Sequence, residues 1–108
     1  MTTVVLVLTT WPAATDAAAF AGALVEERLA ACVNVLPQMQ STYRWKDAIE
    51  SEPERQILIK TTESRLLALE GRIRQLHPYE VPEFLVMRAE RGSEAYTAWV
   101  EAAVSRQG

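Results

Sequence analysis

The chain has few of the cysteine and histidine residues that stabilise disulfide-rich and metal-cluster folds. Its 108 residues include one cysteine, Cys32, and one histidine, His77. A lone cysteine can neither form an internal disulfide nor supply a structural zinc cluster, and it fits a reducing compartment. The first apolar segment, residues 3–10, is too short to cross a bilayer and lacks the flanks of a secretion signal. We therefore predict a cytoplasmic protein that does not insert into a membrane.

The sequence also lacks a strong charge of either sign. Eleven Lys and Arg residues against fourteen Asp and Glu residues give a net charge of −3, and the basic residues are scattered. This pattern gives no general attraction to nucleic acid or anionic lipid. Apolar residues make up 49% of the chain, which is ordinary for a soluble globular protein. The length predicts a single domain over residues 1–108.

The first part of the chain predicts a strand followed by a helix. Residues 4–8 form a continuous β-branched and leucine run, typical of a central strand, and residues 9–12 end it. From Pro12 to about Ala31 the chain is rich in alanine and carries apolar residues at helical spacing. The spacing predicts a first helix over this range, with Pro12 tolerated at its start.

The next part predicts a long hairpin. A second strand begins at residues 32–36, and Pro37 predicts a bend, a bulge or an edge position. The strand resumes over residues 41–46, where aromatic and basic residues alternate. The polar residues 47–53 read as the hairpin tip, and residues 55–61 return as an antiparallel third strand.

The last part predicts helix, strand and helix. Thr62 or Ser64 can cap a second helix. A fourth strand is predicted over residues 84–87, and Gly92 with Ser93 turns and caps a final helix. The second helix carries one apolar stripe at steps of three, four and three, made of Leu66, Leu69, Ile73 and Leu76.

This order of elements predicts an α+β fold of the ferredoxin-like, split βαβ type. Such a fold places two helices on one face of a four-stranded antiparallel sheet, here with an added C-terminal helix. The other face needs a cover, because an apolar sheet face left in water favours association. The terminal helix can shield part of it, and the long hairpin suggests that a neighbouring subunit covers the rest.

Binding groups are concentrated between the second helix and the fourth strand. Residues 77–83, HPYEVPE, combine an imidazole, a phenol and two carboxylates with two prolines that stiffen the backbone. We call this segment the 77–83 loop. A rigid loop that carries polar groups is a candidate site.

Four segments, in this order and spacing, resemble the CutA family of divalent-cation tolerance proteins. They are RLAACVNVLP (28–37), STYRWKDAIE (41–50), ILIKTT (57–62) and LHPYEVPE (76–83). The resemblance extends from about Val4 to about Val104. It implies a ferredoxin-like subunit in a PII-like homotrimer, a role in tolerance to copper and other divalent metals, no required cofactor and no established catalytic reaction.

His77 has two interpretations. In the first, a neutral imidazole nitrogen coordinates a divalent ion, copper first, with oxygen ligands from Glu80, Glu83 or a second subunit. In the second, His77 ends the helix, and its ring bonds the last carbonyls there. Ligands proposed in relatives, a cysteine and a histidine pair, correspond by resemblance to Thr9, Leu76 and His77, so that only one ligand type is present here.

The remaining candidates suggest a cleft between subunits that recognises an ion, a metabolite or a partner. Tyr43 and Trp45 alternate on one strand face and can pack against a neighbouring subunit or stack on a ligand. Lys60 can pair with a glutamate of the 77–83 loop or hold an anion. Cys32 reads as a core residue. The cleft hypothesis groups seven residues: Tyr43, Trp45, Lys60, His77, Tyr79, Glu80 and Glu83.

Two other functions stay open at this point. The ferredoxin-like fold also hosts acylphosphatases, and His77 or Arg44 would then matter for catalysis, but no glycine-rich phosphate loop follows the first strand. No serine or cysteine nucleophile has a histidine in motif spacing either. The second alternative is a signalling or anchoring trimer that binds a small molecule or another protein without metal.

Overall fold

A computed structural model describes residues 3–106. The four strands form one antiparallel sheet, in which the third strand lies between the second and the first, and the fourth lies beside the first. This order confirms the predicted split βαβ arrangement. The elements along the chain are β1 (Val4–Pro12), α1 (Ala17–Glu26), β2 (Cys32–Trp45), β3 (Ala48–Thr62), a 3₁₀ turn (Glu63–Arg65), α2 (Leu66–Leu76), β4 (Leu85–Arg88) and α3 (Glu94–Ala103).

The main core lies between the sheet and the first two helices. Side chains alternate along a strand, so that Val5 and Val7 of β1 point to the same side as their β3 partners. We call this side the helix face, and its aromatic end is formed by Trp11 and Phe20. Complete burial of such side chains contributes roughly 1.5–3 kcal/mol each. The aliphatic members of this core with 0–1% exposure are Val5, Val7, Leu24, Ala30, Ile57, Ile59, Leu69 and Ile73.

The opposite side of the sheet, the open face, has only a partial cover. Val100 and Val104 of α3 pack with Val4 and Ala31 at one end of the sheet. The short edge strand β4 leaves its apolar side chains exposed. Leu85 and Met87 pair with Leu8 and Leu6 and lie on this face, whereas Val86 pairs with Val7 and lies on the helix face. The prediction that a terminal helix shields part of this face therefore agrees with the structure.

The first helix is shorter than predicted at both ends. β1 continues through Pro12, which pairs with Glu54 of β3, so the helix cannot begin there. It begins at Ala17, where the Asp16 side chain accepts a hydrogen bond of 3.1 Å from the backbone N–H of Ala19. It ends at Glu26, and Arg28 adopts a left-handed conformation with φ of 59°.

The hairpin tip was wrongly predicted over residues 47–53. The turn consists of Lys46 and Asp47, which have φ values of 48° and 66°, and β3 begins directly at Ala48. Positive φ at both central residues is the type I′ arrangement that suits strand twist. Residues 48–53 belong to the paired strand and are largely exposed, so the alternation of buried apolar and polar residues that marks a strand is absent from them.

A bulge interrupts β2 near Pro37, as one of the predicted alternatives required. Val35 pairs with Ile57 but Gln38 pairs with Arg55, so β2 contains one more residue than β3 across this interval. The extra residue reverses which side chains point to each face. Odd-numbered β2 residues lie on the helix face before the bulge and on the open face after it.

The remaining predictions had mixed outcomes. Ser93 caps α3 as predicted, with a bond of 3.2 Å from the Tyr96 N–H, whereas α2 follows a 3₁₀ turn without a side-chain cap. Cys32 is half-buried at the start of β2 and not in the core. Within residues 3–106, no helix is both long and apolar enough to span a membrane.

Candidate functional site

A groove of about 670 Å³ lies on the open face, between the extended hairpin and the 77–83 loop. The loop carries the chain from the end of α2 to the start of β4. Residues of β1, β2 and β3 form the floor and one wall, and the loop forms the other wall. The groove is lined by Thr10, Met39, Ser41, Tyr43, Trp45, Glu54, Gln56, Pro78, Tyr79, Glu80, Val81, Pro82 and Glu83.

The hairpin wall exists because of the bulge in β2. After the bulge, Met39 pairs with Glu54, and Tyr43 pairs with Glu50, which places these side chains on the open face. Tyr43 and Trp45 remain 41% and 39% exposed. Without the extra residue, the same side chains would lie on the other face, because a shift of one residue exchanges the two faces of a strand.

The loop wall is tied to the sheet by side-chain hydrogen bonds. The Tyr79 hydroxyl donates to Glu54 Oε2 over 2.6 Å. Gln56 Nε2 donates to Glu83 Oε2 at 2.9 Å and to the backbone oxygen of Thr9 at 2.7 Å. These bonds hold both ends of the groove-lining part of the loop against β3 and β1.

His77 anchors the start of the loop and lies outside the groove. It is 7% exposed, and its ring meets Trp11 edge-on with 4.8 Å between centroids. Nε2 lies 2.6 Å from the backbone oxygen of Thr10, and Nδ1 accepts a 3.1 Å bond from the Tyr79 N–H. A carbonyl accepts and an N–H donates, so these partners assign the neutral tautomer that carries its proton on Nε2. His77 does end α2, as one interpretation predicted, but its ring bonds β1 and not the helix carbonyls.

Burial changes the protonation of groups around the loop. Burial lowers the pKa of His77, against weaker opposite effects of the Thr10 oxygen and Glu54. Burial also raises the pKa of Tyr79, with further contributions from its bond to Glu54 and from nearby charge. The pKa of Tyr43 is raised by desolvation and then by Glu52, Glu50 and Glu54. The phenols therefore stay protonated, beside a row of carboxylates.

Residues 3–106 of a single chain contain no preformed copper site. No three His, Cys, Asp or Glu side chains within residues 3–106 are close enough to share a metal ion. Both His77 nitrogens already have partners, so coordination would require the ring to leave Thr10 or Tyr79. Glu80 is exposed, and Glu83 accepts a bond from Gln56. A metal role for His77, Glu80 and Glu83 remains a prediction.

The structure brings together five of the seven residues assigned to the cleft. Lys60 lies between Leu6 and Cys32 in the sheet register and does not line the groove, nor does His77. No ion pair joins Lys60 to Glu80 or Glu83 in the described part of the chain. The five groove residues are Tyr43, Trp45, Tyr79, Glu80 and Glu83.

Sequence reasoning missed Glu54 and Gln56, the two β3 residues that hold the loop. Both follow the polar stretch interpreted as a hairpin tip. A signal was present, because glutamates at 50, 52 and 54 alternate with period two, as residues on one strand face do. Among the described residues, the groove lining contains no arginine, lysine, histidine or cysteine. It thus offers neither a phosphate cradle nor an activated nucleophile.

Comparison with known proteins places these features in a family. The sequence profile of the family described as CutA1 divalent ion tolerance protein matches residues 5–103. A divalent-cation tolerance protein CutA from Thermus thermophilus is 42% identical over 95 residues, 88% of this chain and 92% of its own length. Protein CutA from Homo sapiens is 48% identical over 80 residues, 74% of this chain but 45% of its own length.

The same relationship is visible in three dimensions. The crystal structure of CutA from Xylella fastidiosa superposes with a TM-score of 0.90 at 39% identity, covering 94% of this chain and 98% of that chain. The chain therefore corresponds to nearly the whole of these bacterial relatives and to about half of the human one.

Proposed function

This chain belongs to the CutA1 family of divalent ion tolerance proteins, and we propose that it acts as a non-enzymatic homotrimer in divalent-cation tolerance. Its recognition site is the groove, which lies at a subunit boundary. The observation that carries this proposal is the lining of the groove: it combines aromatic rings and carboxylates with a braced loop, and among the described residues it contains no cysteine, histidine or basic phosphate-binding residue. Such a lining suits binding better than catalysis.

Surface features outside the groove support the homotrimer. β2 and β4 are the two edges of the sheet, and unpaired edges favour pairing with another chain. Apolar side chains of β4 and the adjacent rings of Tyr96 and Trp99 are exposed. A closed ring of subunits would cover them without endless growth. Light scattering after gel filtration should give three times the subunit mass of 12.1 kDa. A monomer at all concentrations would contradict this part of the proposal.

The tolerance role is testable in cells. A strain that lacks this gene should grow poorly in excess copper, and the wild-type gene should restore growth. A gene carrying Trp45→Ala should restore growth incompletely if the groove is the recognition site, whereas Glu26→Gln on the distant surface of α1 should restore it fully. Equal rescue by both variants would separate the tolerance role from the groove. Fractionation of the same strain tests the proposed cytoplasmic location.

Copper itself is the alternative occupant, and the family name favours testing it. Calorimetric titration of the trimer with Cu²⁺ should show binding that His77→Gln weakens if His77 is a ligand. A signalling or anchoring trimer would instead bind no metal and would capture a stoichiometric protein partner. Acyl phosphate hydrolysis that is lost in Arg44→Ala would replace both proposals with an enzyme.

A further inference from the structure

The charge in the groove has one sign. Three carboxylates line it, those of Glu54, Glu80 and Glu83, and no basic side chain among the described residues does. Glu54 is only 6% exposed and receives a hydrogen bond on Oε2 from Tyr79. Within residues 3–106 its Oε1 accepts no hydrogen bond, and no cation pairs with it. Because Oε1 is not fully buried and Glu54 lines the groove, this carboxylate can accept a cationic partner from the groove.

The other lining groups suit a cation with an organic body. Met39, Tyr43 and Trp45 present an apolar and aromatic strip along the hairpin wall. Aromatic faces attract ammonium groups, and alkyl chains pack against the same surfaces. The chain provides its own example, because Lys46 Nζ lies 5.5 Å from the centre of the Trp45 ring. Within residues 3–106, no three His, Cys, Asp or Glu side chains are close enough to share an inorganic divalent ion.

The acidic residues also form a row. Glu50, Glu52 and Glu54 occupy alternate positions of β3 and pair with Tyr43, Ser41 and Met39 across the hairpin. Alternate residues of a strand are about 6.6 Å apart along its axis. Ammonium groups separated by three or four methylenes are spaced similarly in an extended chain. The row of carboxylates therefore suits a ligand that carries several ammonium groups along an extended chain better than a ligand with one ammonium group.

From these observations we propose that the groove binds a linear aliphatic polyamine, with an ammonium group on Glu54 and the alkyl chain along Tyr43 and Trp45. This inference rests on the groove being the recognition site, and it adds the chemical class of the ligand.

Calorimetric titration of the full chain with spermidine tests the proposal, with butane-1,4-diamine and butylamine as shorter and singly charged probes. Spermidine should bind saturably and more tightly than butylamine, and added NaCl should weaken it. Glu54→Gln, which keeps an acceptor for the Tyr79 hydroxyl, should lower the affinity for spermidine about tenfold, as expected for loss of a hydrogen bond to a charged group. Trp45→Leu should weaken it about threefold, as expected for an exposed cation–π contact.

Two further variants keep the test decisive. Glu80→Gln lies on an exposed part of the loop and should also weaken spermidine binding, so it replaces Glu54→Gln in the test if that variant fails to fold. Glu26→Gln on α1 should leave spermidine binding unchanged. No saturable binding of spermidine, or binding that no groove variant alters, would overturn the proposal. Binding of free glutamate or Cu²⁺ that Trp45→Leu alters, without a response to spermidine, would overturn the ligand class and preserve the groove as the site. If groove variants alter no probe, both proposals fail.

Discussion

The 77–83 loop has two ends that are built differently. At its start, His77 is buried, both ring nitrogens have partners, and the ring packs on Trp11. At its other end, Glu80 and Val81 are exposed, and Glu83 bonds Gln56 with one oxygen only. The difference suggests that the buried end anchors the loop and the exposed end binds, since binding groups keep their positions only when packed and hydrogen-bonded neighbours support them. Within this short segment, different residues therefore stabilise the fold and line the groove.

Truncation of Trp11, which packs on His77, and of Trp45, which lines the groove, should give the largest difference in stability. Trp11 is 7% exposed and stacks on Phe20 with 4.2 Å between ring centroids. Trp11→Ala should lower the free energy of unfolding by about 3–5 kcal/mol, as for other buried aromatic truncations. Trp45→Ala should change it by less than about 1 kcal/mol, since the ring is half-exposed. Urea unfolding of both variants is the measurement, and equal losses would contradict this difference between the two ends.

The second effect concerns the anchor itself. His77→Ala removes the two hydrogen bonds of the ring and leaves the Thr10 oxygen and the Tyr79 N–H without their partners. We expect a loss of about 2–3 kcal/mol in unfolding free energy, because unpaired buried polar groups add to the lost bonds. Glu80→Gln, three residues along the same loop, should stay within about 0.5 kcal/mol of wild type. A similar loss in both variants would mean that the whole loop acts as one structural unit.

The sequence predicted the fold well where the side chains themselves are periodic. The apolar run of β1 and the stripe from Leu66 to Leu76 identify their elements because each repeats with the period of one secondary structure. The concentration of binding groups over residues 77–83 predicted a site there, and that feature is also local in sequence. Five of the seven cleft residues do line one groove.

Predictions failed where distant residues decide the structure. Nothing near Pro12 reveals that it pairs with Glu54 and so delays the helix to Ala17. The partner of the His77 ring, Thr10, is 67 positions away, so a local carbonyl seemed the natural acceptor. Lys60 was grouped with the loop from its position at a strand end, but the strand register sets it apart.

The third effect concerns the hydrogen bond between Tyr79 of the loop and Glu54 of β3. Tyr79→Phe removes the hydroxyl that donates to Glu54 and leaves the ring in place. The unfolding free energy should fall by about 1.5 kcal/mol, the low end for loss of a hydrogen bond to a charged group, because this bond is only partly buried. Tyr96→Phe is the matched control, because that ring is 43% exposed on α3. If the two phenylalanine variants are equally stable, the Tyr79 hydroxyl does not brace the loop.

The smallest effect is a pH dependence confined to the buried end. Burial lowers the pKa of His77 in the folded protein below its ordinary value of about 6.5. Between these two pKa values the unfolded chain binds more protons than the folded one, so stability rises with pH across that window. The stabilising contribution is complete above the unfolded pKa and is lost as the pH falls through the folded pKa.

The charged and titratable groups near the ring are few, which makes this dependence separable. Glu54 of β3 favours the protonated ring by its charge, and Tyr79 faces Nδ1 with its backbone N–H. A protonated Nδ1 would point a second donor at that N–H, so the neutral ring is the one that holds the loop. His77→Gln cannot titrate, and its melting temperature should therefore fall less than that of wild type between about pH 7 and pH 5. If the melting temperatures of the wild type and of His77→Gln fall equally as the pH is lowered, the acid sensitivity of this protein is due to its carboxylates. The buried end of the loop would then differ from the exposed end in packing alone.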